Sequence, residues 1–275
     1  MFYDLNVPTN LHARNGDAVL WEAARLGYDV VAFATTVSGK LGPEHLPPPH
    51  LRRSKDVPPK GEDTPVHLRG GTVGQYVRLP DGEGVHDTAI LRLERRQPTG
   101  GTLLQLTRVT LEVRSPDDLA NLSSPILAQY DIVAVRPATE KLLQQCMQFE
   151  FDILSLDLSE RLPFFIRRPQ AHVAASKGVA FEISFAGALS DSTHRHCLIS
   201  NAVALVRMLR GRNIVLTSAA ASLLHLRGPY DVMNMALLFN LDLQQARDAV
   251  VATPAAVVQH ACSRRSHKGL AYFAP

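Results

Sequence analysis

The chain has 275 residues, 45% of them hydrophobic, enough to bury one large core or two ordinary ones, and its formal net charge of +3 falls well short of what binding nucleic acid by charge alone requires. No run approaches the ~20 consecutive apolar residues that cross a bilayer, and "MFYDLNVPTN" lacks the basic start and apolar run of a signal peptide, so a soluble intracellular protein is expected. Three widely separated cysteines, Cys146, Cys197 and Cys262, form no CxxC pair and indicate neither a disulfide framework nor a zinc site; reduced, mostly buried thiols are expected.

In chain order, "FYDLN" opens as a strand and "YDVVAF" (28–33) follows as a second. Residues 39–101 then hold nine of the 18 prolines and ten of the 17 glycines, which predicts a flexible insertion loop within one domain spanning 1–275. Its ten basic and eight acidic residues nearly balance, so it is no basic arm. "LQLTRVTLEV" (104–113) alternates as a strand, and Ser115-Pro116-Asp117-Asp118 reads as the cap, first-turn proline and first-turn acids of a helix. "YDIVAV" (130–135) and "FDILSL" (151–156) repeat the aromatic, aspartate and unbroken apolar run of residues 28–33, the signature of strands buried on both faces. Between them Thr139 caps a helix carrying Leu142, Leu143, Cys146 and Met147. "FFIRRPQAHVAASKGVAFEI" (164–183) reads as an apolar strand ending in Arg167 and Arg168, a small-residue helix and the strand "GVAFEIS" (178–184). A helix over about 191–210 stops at Gly211, and "NIVLT" (213–217) is the last strand. Seven or eight strands separated mostly by helices favour a closed, TIM-like (β/α) barrel; a Rossmann-type sheet is weakened because no GxGxxG or GxxxxGK[ST] opens a helix.

Barrel enzymes carry their catalysts at the C-terminal ends of strands, and here those ends offer Asp4, Asn6, Thr35, Thr36, Arg136, Asp157, Thr217 and Ser218, a poor set. His194 and His196 differ by two at a helix start and point apart, so no metal pair is read from them. Glu182 is the best isolated carboxylate: as a general base it would need Asp157, and as a structural group it would pair with Arg168 or Arg136. Ser218 lacks a GxSxG elbow, and His225 reads as a loop or core residue. Arg136, Arg167, Arg168 and Arg227 all follow predicted strands; on one barrel rim, four guanidinium groups would suit a polyanion bound through its phosphates, with Phe164, Phe165 and Tyr230 able to stack on bases. Arg264, Arg265 and Lys268 follow the last acidic residue and make the end locally positive, either a cluster for nucleic acid or a solvated basic tail.

The segments "LAQYDIVAVRPATEKLLQQC", "DLSERLPFFIRRPQAHVAASKGVAFEISFAGALSDSTHRH" and "GRNIVLTSAAASLLHLRGPYDVMNMALLFNL", with "YDLNVP" and "AARLGYDVVAF" before them, resemble the barrel protein subunit family of ribonuclease P and ribonuclease MRP over about residues 1–37 and 102–265. The resemblance implies a non-catalytic protein subunit in a ribonucleoprotein whose RNA, with its Mg²⁺, removes the 5′ leader of precursor tRNA or cleaves precursor rRNA. It also implies a small ferredoxin-like partner subunit, a second copy of the chain, and a nuclear, nucleolar site of action. Arg167 and Arg168 match the family's basic pair, Arg227 its "RGPYD" loop and Lys141 a helix position, whereas Arg136 stands where members often have an uncharged residue. Lys177 and Arg212 complete the RNA-binding set, and no residue is assigned to catalysis or to a metal. The related polymerase-and-histidinol-phosphatase barrels carry paired histidines on the first strand, where this chain has Asp4 and Asn6. The rival readings are a metal-dependent phosphoester hydrolase built on Glu182, Asp157 and Ser218, and a protein-only assembly scaffold using the helices at 191–210 and 231–262.

Overall fold

The computed structural model describes residues 1–15, 17–47, 65–68, 71–78, 102–162, 164 and 166–265. Seven parallel strands form its wall in the order β1 (Tyr3–Pro8), β2 (Val30–Ser38), β5 (Thr102–Val113), β6 (Ile132–Pro137), β7 (Ile153–Ser155), β8 (Ala180–Ser184) and β9 (Ile214–Thr217). The unbroken apolar runs are explained by burial on two sides. Leu5, Val30, Ala32, Leu104, Leu106, Ile132, Ala134, Ile153, Ala180 and Val215 point into the barrel, while Val31, Phe33, Val133, Val135, Phe181 and Leu216 meet the surrounding helices. The barrel is nearly closed. Between β9 and β1 the seam is joined by the Ala219 amide donating to the Asn6 carbonyl at 2.8 Å and the Ser218 amide donating to Asp4 Oδ1 at 3.1 Å.

Helices α1 (Thr9–Asn15) and α2 (Asp17–Leu26) link the first two strands. Part of the predicted insertion loop is ordered sheet: β3 (Pro65–Leu68) and β4 (Gly71–Arg78) pair antiparallel, and β4 continues the sheet by pairing with Thr102–Gln105 at the start of β5. Residues 48–64, 69–70 and 79–101 of the predicted loop lie outside the described residues. The helix expected after Ser115 is instead two 3₁₀ segments, Pro116–Ser123 and Pro125–Gln129. Pro125 can donate no amide, so the first segment cannot run on as a helix, and the chain restarts with the Ser124 hydroxyl accepting from Ile126 N.

Helix α3 (Glu140–Cys146) is capped as expected, Thr139 Oγ1 accepting from Leu142 N. The apolar segment before Arg167 is not a strand: Phe164 and Ile166 lie in an irregular stretch packed on the core, Phe165 lies outside the described residues, and Arg168 already begins α4 (Arg168–Ser176). Pro169 at the second helical position needs no amide partner and fixes that start. After β8 come α5 (Ala186–Ser190) and α6 (Ser192–Leu209). Asp191 caps α6, and Arg210 and Gly211, both at positive φ, end it. Helices α7 (Pro229–Leu237), α8 (Leu243–Val250) and α9 (Ala252–Arg265) complete the chain. Cys146 and Cys262 are buried and Cys197 partly so, all three as free thiols.

The repeated aromatic-aspartate pairs have one structural job. Each aspartate stands just before its strand and accepts a backbone amide from the neighbouring strand or the residue before it: Asp29 from Phe2 at 2.6 Å, Asp131 from Thr107 at 2.8 Å, and Asp152 from Val133 at 2.8 Å. Two of them also dock α9. Its Val257, Val258, Ala261 and Cys262 plug the N-terminal mouth of the barrel against the inward-facing apolar layer. Arg264 clasps Asp152 at 3.0 Å and Arg265 meets Asp131 at 2.7 Å, so these arginines are buried anchors and not a solvated tail; Lys268 lies outside the described residues. Gly178 is required here twice. Its φ is +81°, and a Cβ would stand 2.8 Å from His260 Cδ2 on α9.

Replacing Asp152 by Ala would strand Arg264 and His260 beside a buried gap. Unfolding free energy should fall by about 3–5 kcal/mol, read from the denaturant midpoint. A loss under about 1 kcal/mol would mean that apolar contacts alone hold α9.

Candidate nucleic-acid interface

The inward faces of β5 and β8 carry the barrel's central charge pair. Along β5, Leu104, Leu106, Arg108, Thr110 and Glu112 fall at every second residue, and a strand of period two turns them all to the interior. Arg108 is 0% exposed and Glu182 1%. The guanidinium donates from both terminal nitrogens, Nη1 to Oε1 and Nη2 to Oε2, each at 2.6 Å. Its remaining donors reach the Leu5 carbonyl at 3.0 Å and Thr110 Oγ1 at 3.2 Å. Glu182 Oε1 also accepts from Thr217 at 2.7 Å and from the Asn6 amide at 3.0 Å. Burial by itself would raise the Glu182 pKa; the Arg108 charge and these hydrogen bonds outweigh it and hold the carboxyl at about 2.

Glu182 therefore pairs with neither Arg168 nor Arg136. The sequence reading missed Arg108, although a cation at a core-facing position of an alternating strand demands a buried carboxylate partner. The residues of the hydrolase reading are engaged elsewhere. Glu182 is committed to Arg108, and Asp157 is exposed and accepts from its own loop at Ser159, 2.5 Å away. Ser218 is fully buried with its hydroxyl on the Asn6 carbonyl at 3.3 Å. Asp4 accepts the seam amide of Ser218 through Oδ1 and Asn6 donates to Glu182; burial raises the Asp4 carboxyl above its ordinary value. Among the described residues no three His, Cys, Asp or Glu side chains gather closely enough to hold a metal ion.

Above this layer the C-terminal mouth is lined by Glu112, which accepts from Ser38 and Arg114, each at 2.6 Å, and from Arg136 at 3.4 Å. Hydrogen bonds from Ser38 and the charges of Arg136 and Arg114 lower the Glu112 pKa against the opposing effect of burial. Arg136 is half-buried over the barrel and touches Ser155 at 3.4 Å. Arg167 stands at the start of α4, its side chain 73% exposed and steered by Glu140 at 3.0 Å. Gln170 ties the two helix starts together, accepting from the Arg167 amide at 2.9 Å and donating to Glu140 at 3.0 Å. Lys141 and Arg168 are exposed beside them.

The other three assigned residues lie at the opposite end, so the expected single rim is divided. Lys177 and Arg212 immediately precede β8 and β9, and the Lys177 ammonium donates to the Met147 carbonyl. Arg227 is also at the N-terminal end, because the chain after β9 descends along the outside of the barrel. Its carbonyl accepts from Tyr28 at the entry to β2 at 2.9 Å, and Tyr230 packs edge-on against Phe2 before β1 at 5.4 Å. The Arg227 guanidinium is turned inward on the Leu224 and Leu226 carbonyls at 2.5 and 2.8 Å. His225 belongs to a 3₁₀ turn on this descending segment.

Glu182→Gln should destabilise the fold by about 3–5 kcal/mol, because it leaves the buried Arg108 charge without its counterion. The depressed carboxyl also fixes a pH response. Its contribution is present above the ordinary carboxylate value of 4.5 and is lost as pH falls from there toward about 2. Thermal unfolding of wild type and variant between pH 2 and 7 checks both; an unchanged melting temperature in the variant would contradict the structural assignment.

The chain matches the family described as RNase P subunit p30 over residues 1–266. It is 39% identical over 168 residues to the mouse ribonuclease P protein subunit p30, covering 60% of this chain and 63% of that relative. It is 40% identical over 160 residues to a probable ribonuclease P protein subunit 3 of Schizosaccharomyces pombe, covering 58% and 68%. The fold resembles a chain in the cryo-EM structure of archaeal ribonuclease P with mature tRNA, with a TM-score of 0.53 at 16% identity over 63% of this chain and 76% of that one. Family match, relatives and barrel agree: the chain belongs to the p30 family of ribonuclease P subunits.

Proposed function

We propose that this chain is a protein subunit of the ribonuclease P and MRP ribonucleoproteins that supports the RNA in 5′ leader removal from precursor tRNA and in precursor rRNA processing, and does not itself cut. The observation that carries the proposal is the commitment of Glu182. The carboxylate at the centre of the barrel is locked to Arg108 and buried, while exposed cations face outward. In this reading Arg167, Arg168 and Lys141 hold backbone phosphates at the C-terminal end, Arg136 adds charge at the mouth, and Lys177, Arg212 and Arg227 serve a second surface. Mg²⁺ in the particle belongs to the RNA and is not held by this chain. The names of the relatives support the particle, and eukaryotic relatives among them support a nuclear location, which this reading narrows to the nucleolus.

Protein partners in this proposal are a small ferredoxin-like subunit, other subunits of the particle and a second copy of the chain. Tyr230, Leu237, Leu238 and Leu243 on α7, α8 and the turn between them are exposed and offer an apolar face for protein contacts, whereas Val232, Met233 and Ala236 of the same segment are core. No helix among the described residues is long and apolar enough to cross a membrane.

Purifying the tagged chain gently from its own cells should recover one abundant structured RNA and precursor-tRNA 5′ cleavage that nuclease pretreatment abolishes; recovery of the chain free of RNA would contradict the proposal. In the same particle, Arg167→Ala with Arg168→Ala should flatten the slope of log affinity against log salt by about 1.4–1.8, at ~0.7–0.9 per lost phosphate contact. The isolated double variant should keep its thermal transition, and loss of that transition would make the pair structural.

A further inference from the structure

His260 stands near the middle of α9 with a buried carboxylate on one side of its ring and a backbone turn on the other. Nδ1 is 2.8 Å from Asp152 Oδ1 at the entry to β7. The opposite edge, Cδ2 and Nε2, lies over the Lys177–Gly178 turn that leads into β8, where only the absence of a side chain at Gly178 admits it. A neutral imidazole can still donate Nδ1–H to Asp152, but only the imidazolium adds an ion pair with that buried carboxylate. Protons can reach the ring. Two open grooves of about 480 and 490 Å³ meet at His260, one bordered by Glu150 and Lys177, the other by Arg212 and Asp248.

We propose that His260 is a proton-dependent clamp, holding α9 against the N-terminal mouth of the barrel when charged and loosening it when neutral. The charged groups around it favour this role. Asp152 is fully buried and attracts the imidazolium, while Arg264 shares the same carboxylate and opposes it. The Lys177 ammonium is drawn away to the Met147 carbonyl. Glu150 is exposed and Asp248 partly so, where water screens them. The bond to Asp152 outweighs burial and the Arg264 charge, so the ring's pKa stands above its ordinary value of 6.5. For a group raised on folding, the stabilisation is complete below the ordinary value and is lost as pH rises through the folded one. Loss of the clamp leaves Arg264 and Arg265 in place, so α9 loosens at its middle and remains tethered at its end.

The test uses the full chain. Nitrogen-detected NMR should find both His260 ring nitrogens protonated at pH 6, and the ring should titrate above the ordinary histidine value of 6.5. Amide exchange of α9, corrected for the intrinsic rate, should show opening that increases across the His260 titration by up to tenfold for each unit by which folding raises its pKa. In His260→Gln the opening should be independent of pH and equal to that of the deprotonated wild type. A ring already neutral at pH 6, wild-type α9 protection that does not change with pH, or a His260→Gln profile that follows the wild type would each overturn the clamp. The wild-type measurements decide the question even if the variant fails to fold.

Discussion

The Arg108–Glu182 pair is the constraint around which the barrel is organised. Taking two charges out of water is expensive, and a pair sealed in a barrel is tolerated only where nearly every donor and acceptor is used. Here the pair's own bidentate bonds are joined by Asn6, Thr217, Thr110 and the Leu5 carbonyl, which draws on β1, β5, β8 and β9 together. The register shift in β1 between Asp4 and Val7 falls where Leu5 and Asn6 meet this cluster. A slip of one residue in β5 would turn Arg108 out among the helices and leave Glu182 uncompensated, so the pair specifies register as well as occupying the centre.

That arrangement leaves chemistry to the two ends of the molecule. In barrel enzymes the layer above the strands' C-terminal ends is where catalytic groups converge. Here Glu112 draws Ser38, Arg114 and Arg136 together across it, and the exposed cations stand outside, on the starts of α3 and α4. The opposite mouth is closed by α9, whose arginines and histidine reach the same aspartates that order the strand entries. A chain built in this way presents surfaces at both ends and keeps its interior for stability, as a supporting subunit requires.

Much of this was legible in the sequence because burial on both faces leaves unbroken apolar runs and because caps are local: Thr139, Asp191 and Gly211 lie where their residue types predict. The misreadings share a cause. Arg108 and Glu182 are 74 residues apart, and the spacing that turns each of them inward does not say that they meet. Arg264 and Arg265 look like a tail until the fold carries α9 beneath Asp131 and Asp152. Arg227 follows the last strand in sequence but sits at the other end of the barrel, because nothing local marks the descent of the chain after Ser218. The aspartate repeat was visible, while its purpose, tying one strand entry to the next, needed the parallel order of the sheet.

The central claim, that the barrel's interior is structural and the chain supports an RNA that does the cutting, is tested most directly by removing the central charges together. A particle assembled with Arg108→Met and Glu182→Leu replaces the buried pair by apolar side chains of similar size, an exchange that cores of this kind often tolerate. Provided the double variant melts cooperatively, the account predicts precursor-tRNA cleavage within a few-fold of wild type. A folded, fully assembled particle that had lost cleavage by about a thousandfold or more, the scale of a missing catalytic group, would contradict it.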